Sequence, residues 1–326
     1  MHPRYRRLLI PGLLVGLVIV VVIASLAQKA DAAESTTVSV IDDPRITEAS
    51  GLAISLDHRD LVYVINDSGH AAEVFAVRLS TGEVVGTTSV AGATWQDAEA
   101  LAIDADGTLW VADTGDNLRR RSGVALYALA EPGPGDHVVQ ARRFPVTFAD
   151  GAHDVEALLI DPTTATTYLV TKGLLRGQFF ALPDELTESG PNVASVVGGN
   201  APGMVTGGAF AHDGRRLFLR TYSSVHEYDP VDFTAIGLIS APRQEQGESL
   251  AVESGDATLL LGTEGRPAPI IRLNVSTPAP TPAASSVGSS VAPSGRDHEK
   301  WWLAGGVAVG AALGVVLVSQ GRVRPE

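Results

Sequence analysis

Three stretches of the chain put a carboxylate or amide two positions ahead of a glutamate: Asp97-Ala98-Glu99, Asp154-Val155-Glu156 and Gln246-Gly247-Glu248. An apolar run follows each of them. Glu48 and Ser50 stand at the same place before a fourth run, and Thr206 and Gly208 before a fifth. Carboxylates gathered in one place repel each other, so they need a bound cation, a shared proton or a basic neighbour. Oxygen donors of this kind suit Ca2+ or Mg2+, and no thiolate is present to favour a softer metal. Glu99, Asp154, Glu156 and Glu248 are therefore the expected metal-facing set.

A second group follows later apolar runs: Asn66 and Asp67; Asp113, Asp116 and Asn117; Lys172; Arg220 and Tyr222; Glu264. With Asp97 these are the expected ligand-binding residues. Lys172 and Arg220 supply positive charge among the carboxylates. The run Asp113-Thr114-Gly115-Asp116-Asn117 offers hard oxygen donors but lacks the terminal glutamate of an EF-hand loop.

Other chemistry is excluded. The chain has no cysteine, which removes disulfides, thiolate zinc sites and a cysteine nucleophile. It contains no Gly-x-Ser-x-Gly elbow, no phosphate-cradling Gly-x-x-x-x-Gly-Lys loop and no His-Glu-x-x-His pair. The eight histidines are scattered, and His70 and His153 read as surface residues. A formal net charge of -13 argues against nucleic acid as a partner.

The elements that must position these residues form a repeat. Five first strands begin near Gly51, Ala100, Ala157, Gly208 and Ser249, and five partners begin near Leu61, Leu109, Tyr168, Leu217 and Leu259. Turns such as Asp104-Ala105-Asp106-Gly107 and His212-Asp213-Gly214 separate them. Outer strands such as Val74–Val77, Ala125–Ala128 and Gln178–Ala181 follow. A spacing of roughly 40 to 57 residues suits four strands per unit. The expected fold is all-β: a β-propeller of five four-stranded blades over residues 36–276, with room for a sixth, degenerate blade. The strand from Thr37 to Ile41 is placed to complete the last blade. First-strand residues line the channel of a propeller, so the two groups above are expected to converge on one face around it.

The stretches Ile46–Leu52, Trp95–Leu101 and Ala112–Asn117 resemble a group of secreted, membrane-anchored bacterial propeller proteins described as WD40-like or propeller-containing. The resemblance covers about residues 40 to 275, and no Trp-Asp dipeptide closes a blade. More distantly the pattern is similar to phytase-like and gluconolactonase-like propellers. That resemblance implies a calcium site at the channel mouth.

The ends read as membrane segments. Residues 1–33 look like a signal peptide: Arg4, Arg6 and Arg7, then an apolar run from Leu8 to Ala27, then Ala30-Asp31-Ala32. Residues 277–300 form a Pro/Ala/Ser/Thr-rich stalk. Residues 301–320 are apolar and long enough for a transmembrane helix, with Trp301 and Trp302 at one interface and Arg322 and Arg324 in the tail 321–326. Gly306, Gly310 and Gly314 recur every four residues, a spacing that favours a homodimer through this helix. The expected protein is a single-pass cell-membrane protein with its propeller outside. Its expected role is a ligand- or protein-binding module acting through the channel mouth. A divalent-metal-assisted hydrolase of phosphoesterase or lactonase type and a structural envelope scaffold are the alternatives.

Overall fold

A computed structural model describes residues 33–275. The expected signal peptide (all but Ala33), stalk, transmembrane helix, tail and glycine stripe lie outside the described residues. Among the described residues no helix is long and apolar enough to cross a membrane. The described chain is all β.

Strand β1 (Ser35–Ile41) comes first. A meander of β2 (Ala49–Ile54), β3 (Leu61–Asn66), β4 (Glu73–Arg78) and β5 (Val84–Val90) follows. The second meander is β6 (Ala98–Ile103), β7 (Thr108–Asp113), β8 (Val124–Ala130) and β10 (Arg142–Phe148), with the short β9 (His137–Val139) in its last loop. The third has β11 (Val155–Ile160), β12 (Thr167–Thr171), β14 (Phe179–Ala181) and β15 (Asn192–Val196). Two short strands, β13 (Arg176–Gly177) and β16 (Ala201–Pro202), pair with each other. The fourth is β17 (Val205–Phe210), β18 (Leu217–Thr221), β19 (Ser224–Asp229) and β20 (Thr234–Ser240). The last contains β21 (Gln246–Val252), β22 (Thr258–Glu264) and β23 (Ala268–Asn274), and β1 completes it by pairing antiparallel with β23. The closing role expected of the first strand is thus observed.

Parallel pairing of β10 with β15 fuses the second and third meanders into one eight-stranded sheet, and β9 adds to the edge of the first beside β5. The first strand of every meander is an edge strand of its sheet. These five strands pack in cyclic order, β2 against β6, β6 against β11, β11 against β17, β17 against β21, and β21 back against β2.

The core explains the ring. Each sheet is apolar on both faces, as the continuous burial of Leu61-Val62-Tyr63-Val64-Ile65 illustrates. Such a sheet must be covered on both sides. Five apolar seams do this, each between consecutive meanders; the last meander takes part in two of them, Val252, Leu259 and Leu273 clustering with Phe218 of the fourth, and Leu260 with Val62 and Phe75 of the first. Burying one such side chain contributes roughly 1.5–3 kcal/mol. One seam shows a size exchange. The ladder aligns Gly208 with Leu52, Leu101, Leu158 and Leu250, and a Cβ on Gly208 would stand 3.0 Å from Leu159 Cδ2. Leu159 occupies the position that is alanine in the other four strands and fills the gap.

Candidate functional site

Each channel-lining strand carries an irregularity at the same place. The register shifts between Ala49 and Leu52, Ala98 and Ala100, Val155 and Ala157, Val205 and Gly207, and Gly247 and Ser249. Such bulges re-aim a side chain. The residues they release are Ser50, Glu99, Glu156, Thr206 and Glu248. This corrects the sequence alignment in the fourth repeat: Thr206, not Gly208, is the equivalent of Glu99, and Met204 stands where the second and third repeats have Asp97 and Asp154.

The ends of the second strands brace these bulges. Asn66 Oδ1 accepts the N–H groups of Thr47 and Glu48, both at 3.2 Å. Asp113 Oδ1 accepts those of Gln96 at 3.1 Å and Asp97 at 3.0 Å, and Thr263 Oγ1 accepts that of Gln246 at 3.2 Å. Arg121 Nη2 lies 2.9 Å from the same Asp113 oxygen. Asp116 accepts the N–H groups of Arg120 and Arg121 at 2.9 and 2.8 Å, and its own N–H donates to Asp154 Oδ1 at 2.8 Å. Asn66, Asp113 and Asp116, expected as ligand contacts, are therefore committed to holding the backbone, while Asn117 is exposed in the loop beyond.

Three carboxylates converge above this frame. Ligand oxygens of Asp67, Asp97 and Glu99 all lie within 4.8 Å of one another. Ser50 Oγ adds a hydroxyl 3.0 Å from Glu99 Oε2. Glycine leaves them room in their present positions, since a Cβ on Gly115 would stand 2.5 Å from Asp97 Oδ2 and 2.5 Å from Glu99 Oε1. The Asp113–Asn117 run thus contributes a bare backbone floor rather than a set of ligands. Burial, then the hydrogen bond and charge of Asp67, push Asp97 up to about 7. Burial, then the charges of Glu156, Asp67 and Asp97, hold Glu99 well above the usual carboxylate range.

The remaining acids form a second sector. Glu156 Oε1 lies 2.8 Å from Lys172 Nζ. Burial raises Glu156 to about 8 although the Lys172 ammonium opposes it. Burial works against the charge on Lys172, but Glu156 and Tyr222 outweigh it and raise the ammonium above its ordinary value. Lys172 Nζ also stands 5.5 Å from the centre of the Tyr222 ring. Glu248 Oε1 accepts from Gln246 Nε2 at 2.8 Å, and the same amide bonds Glu264. Burial raises Glu248 to about 7, with Lys172 opposing and Glu264 adding to the effect. Burial also raises Asp154 and Glu264.

Arg220 differs from what its sequence position implies. It lies wholly buried in the strand wall, and its Nη1 donates to the carbonyls of Ser249 and Gly262, both at 2.6 Å. Gly247 leaves room for it, since a Cβ there would meet Nη2 at 2.1 Å. Its charge reaches Glu248, but its donors serve the seam between β18 and β21.

The arrangement fits a hard cation. Three carboxylates and one hydroxyl supply part of the six to eight oxygens that Ca2+ takes, leaving positions for water or a ligand. Of the residues expected to face a metal, Glu99 lies in the trio with Asp67 and Asp97, while Asp154, Glu156 and Glu248 stand in the Lys172 sector. Sequence reasoning placed Asp67 on this face but assigned it to ligand contact, because the bulge that brings Glu99 to it has no residue signature.

Among solved structures, the chain is similar to a gluconolactonase from Xanthomonas campestris at 15% identity, over 77% of this chain and 93% of that one, with a TM-score of 0.46. It is also similar to a luciferin-regenerating enzyme at 10% identity, over 72% and 95% of the two chains, with a TM-score of 0.44. No family model matches the chain, and no curated protein matches it.

Proposed function

We propose that the chain is a membrane-anchored extracytoplasmic propeller of five blades that binds a ligand or partner protein at its channel mouth through a divalent cation. The observation that carries this reading is the convergence of Asp67, Asp97 and Glu99 over Gly115. Three ionised carboxylates this close are strongly repelled, and a hard cation relieves the repulsion. Ca2+ or Mg2+ held there presents open positions to the channel mouth. Lys172 and Tyr222 border the same mouth, and Asn117 extends from its rim. On this reading residues 1–33 act as a signal peptide and residues 301–320, apolar in sequence, as the membrane anchor.

Titration calorimetry with Ca2+ and Mg2+ tests the reading. The protein is expected to bind one cation per chain, and Glu99→Gln is expected to weaken binding at least ten-fold. Absence of cation binding at neutral pH defeats it.

A second reading is favoured by Glu156. A buried carboxyl titrating near neutrality beside a lysine is suited to proton transfer. With a cation on the trio, the site has the parts of a metal-assisted lactonase or phosphoesterase. Chelator-sensitive turnover of a lactone or phosphoester, abolished by Glu156→Gln, selects this reading over simple binding.

A further inference from the structure

The channel changes character along its length. Two residues beyond Ser50, Glu99, Glu156 and Glu248, about 7 Å along each strand, stand Leu52, Leu101, Leu158 and Leu250. From that level to the opposite mouth the five first strands enclose a cavity of about 280 Å3. Its walls are aliphatic, and its outer tier includes the half-buried Ile54, Ile103 and Ile160. Leu56, in the turn after β2, is half exposed at its rim. Ala209 and the other small residues of the middle tier keep the lumen open. The cavity is bounded by strands of all five meanders, so only a slender molecule enters it.

Polar groups at this end select the head of such a molecule. Asp104 borders the cavity; it accepts the N–H groups of Asp106 and Thr108 and the Trp110 indole N–H, and no cation among the described residues pairs with it. His212 Nδ1 lies 2.8 Å from Asp256 Oδ1, which offsets any charge it gains. In the turns at this end Asp57, Asp106, Asp161 and Asp213 outnumber Arg59 and Arg215, which leaves an acidic excess. An anionic head is repelled there. The end is also where the chain leaves the described body: Ser35 pairs with Leu273, and Asn274 with Thr258 at the start of β22.

We propose that this cavity, distinct from the carboxylate mouth, is a binding site for a short aliphatic molecule with a cationic head. At roughly 30 Å3 for each non-hydrogen atom, the volume holds about nine such atoms. The tail lies against Ile103, Ile160 and Phe210, and the head sits near Asp104.

Calorimetry on the full chain in lipid nanodiscs, with empty nanodiscs as the blank, tests this. Octylammonium is expected to bind at one site per chain, and octanoate, with the same number of carbons and the opposite charge, at least ten-fold more weakly. Ala209→Phe fills the lumen and is expected to weaken octylammonium binding at least ten-fold while cation binding at Asp67, Asp97 and Glu99 persists. Leu56→Asp alters only an exposed rim position; by adding an anion it strengthens head-group attraction and is expected to tighten binding about three-fold, which keeps the test decisive if Ala209→Phe does not fold. Saturating Ca2+ is expected to leave octylammonium binding unchanged. No heat above the blank, octanoate binding as tightly as octylammonium, an unchanged affinity in Leu56→Asp, or displacement by Ca2+ each overturns the proposal. The last outcome moves the ligand to the carboxylate mouth and leaves the cation reading intact.

Discussion

Gly115 sits so close beneath Glu99 that a methyl group on its Cα would meet Glu99 Oε1 at 2.5 Å. The backbone of one strand exit therefore sets the position of a carboxylate on a neighbouring strand. Gly115→Ala is expected to displace both Asp97 and Glu99 and to weaken Ca2+ binding at least ten-fold. The fold is expected to survive, since the atoms a Cβ would meet are the ends of the Asp97 and Glu99 side chains, which can move aside. Calorimetry beside a thermal melt separates the two effects, and unchanged affinity removes the role assigned to this glycine.

The raised carboxyls make stability depend on pH. Burial pushes Asp97, Glu156 and Glu248 up to about 7, 8 and 7 in the folded chain, above the ordinary values of 3.8, 4.5 and 4.5. Between those two limits the folded state binds more protons than the unfolded one, so stability falls as pH rises. The metal-free protein is expected to lose melting temperature steadily from about pH 5 to pH 8. Saturating Ca2+ is expected to flatten that slope, because a bound cation replaces the protons. A metal-free melting temperature that rises over this range contradicts the assignment.

Lys172 and Glu156 form a largely buried pair, with side-chain exposures of 15% and 2%. Removing one partner of such a pair leaves a charge without compensation, at a cost of about 3 kcal/mol. Lys172→Met is expected to lower stability by up to about that much well above pH 8, where Glu156 is ionised, and by less below pH 8, where Glu156 takes up a proton. Adding Glu156→Gln is expected to recover most of the loss. Denaturant melts of the two single variants and the double variant measure the coupling.

Strand β1 closes the last meander, so residues 34–276 contain every strand of the described body. A fragment of those residues is expected to fold, with a β-type circular dichroism spectrum and a cooperative melt. A fragment beginning at Asp42 exposes the edge of β23 and is expected to melt at least 10 °C lower or to aggregate. Equal melting temperatures count against a closing role for β1.

Much of the architecture was legible because strand alternation and turn residues are local. The pairs beginning near Leu61, Leu109, Leu217 and Leu259 appear where apolar runs and polar turns put them, and β1 pairs with β23 as its position implies. The Asp-x-Glu spacing also marked Asp97, Glu99, Asp154 and Glu156, since it recurs at the start of successive repeats, but not the bulges that re-aim Glu99 and Glu156. The fourth repeat misled because Thr206-Gly207-Gly208 has no acidic residue to fix its phase, and an apolar run alone does not reveal a two-residue shift.

The sequence by itself determined the five-fold strand repeat, the concentration of oxygen ligands at strand beginnings and the absence of thiol chemistry. Only the tertiary structure decided what each polar residue does. Asn66, Asp113 and Asp116 spend their oxygens on backbone N–H groups, Arg220 is drawn into a seam by the carbonyls of Ser249 and Gly262, and Asp67 comes to Asp97 and Glu99 from a separate meander. Those outcomes depend on bulges and on strands packed around a common axis. Both are set by contacts between residues distant in the chain, which no local pattern encodes.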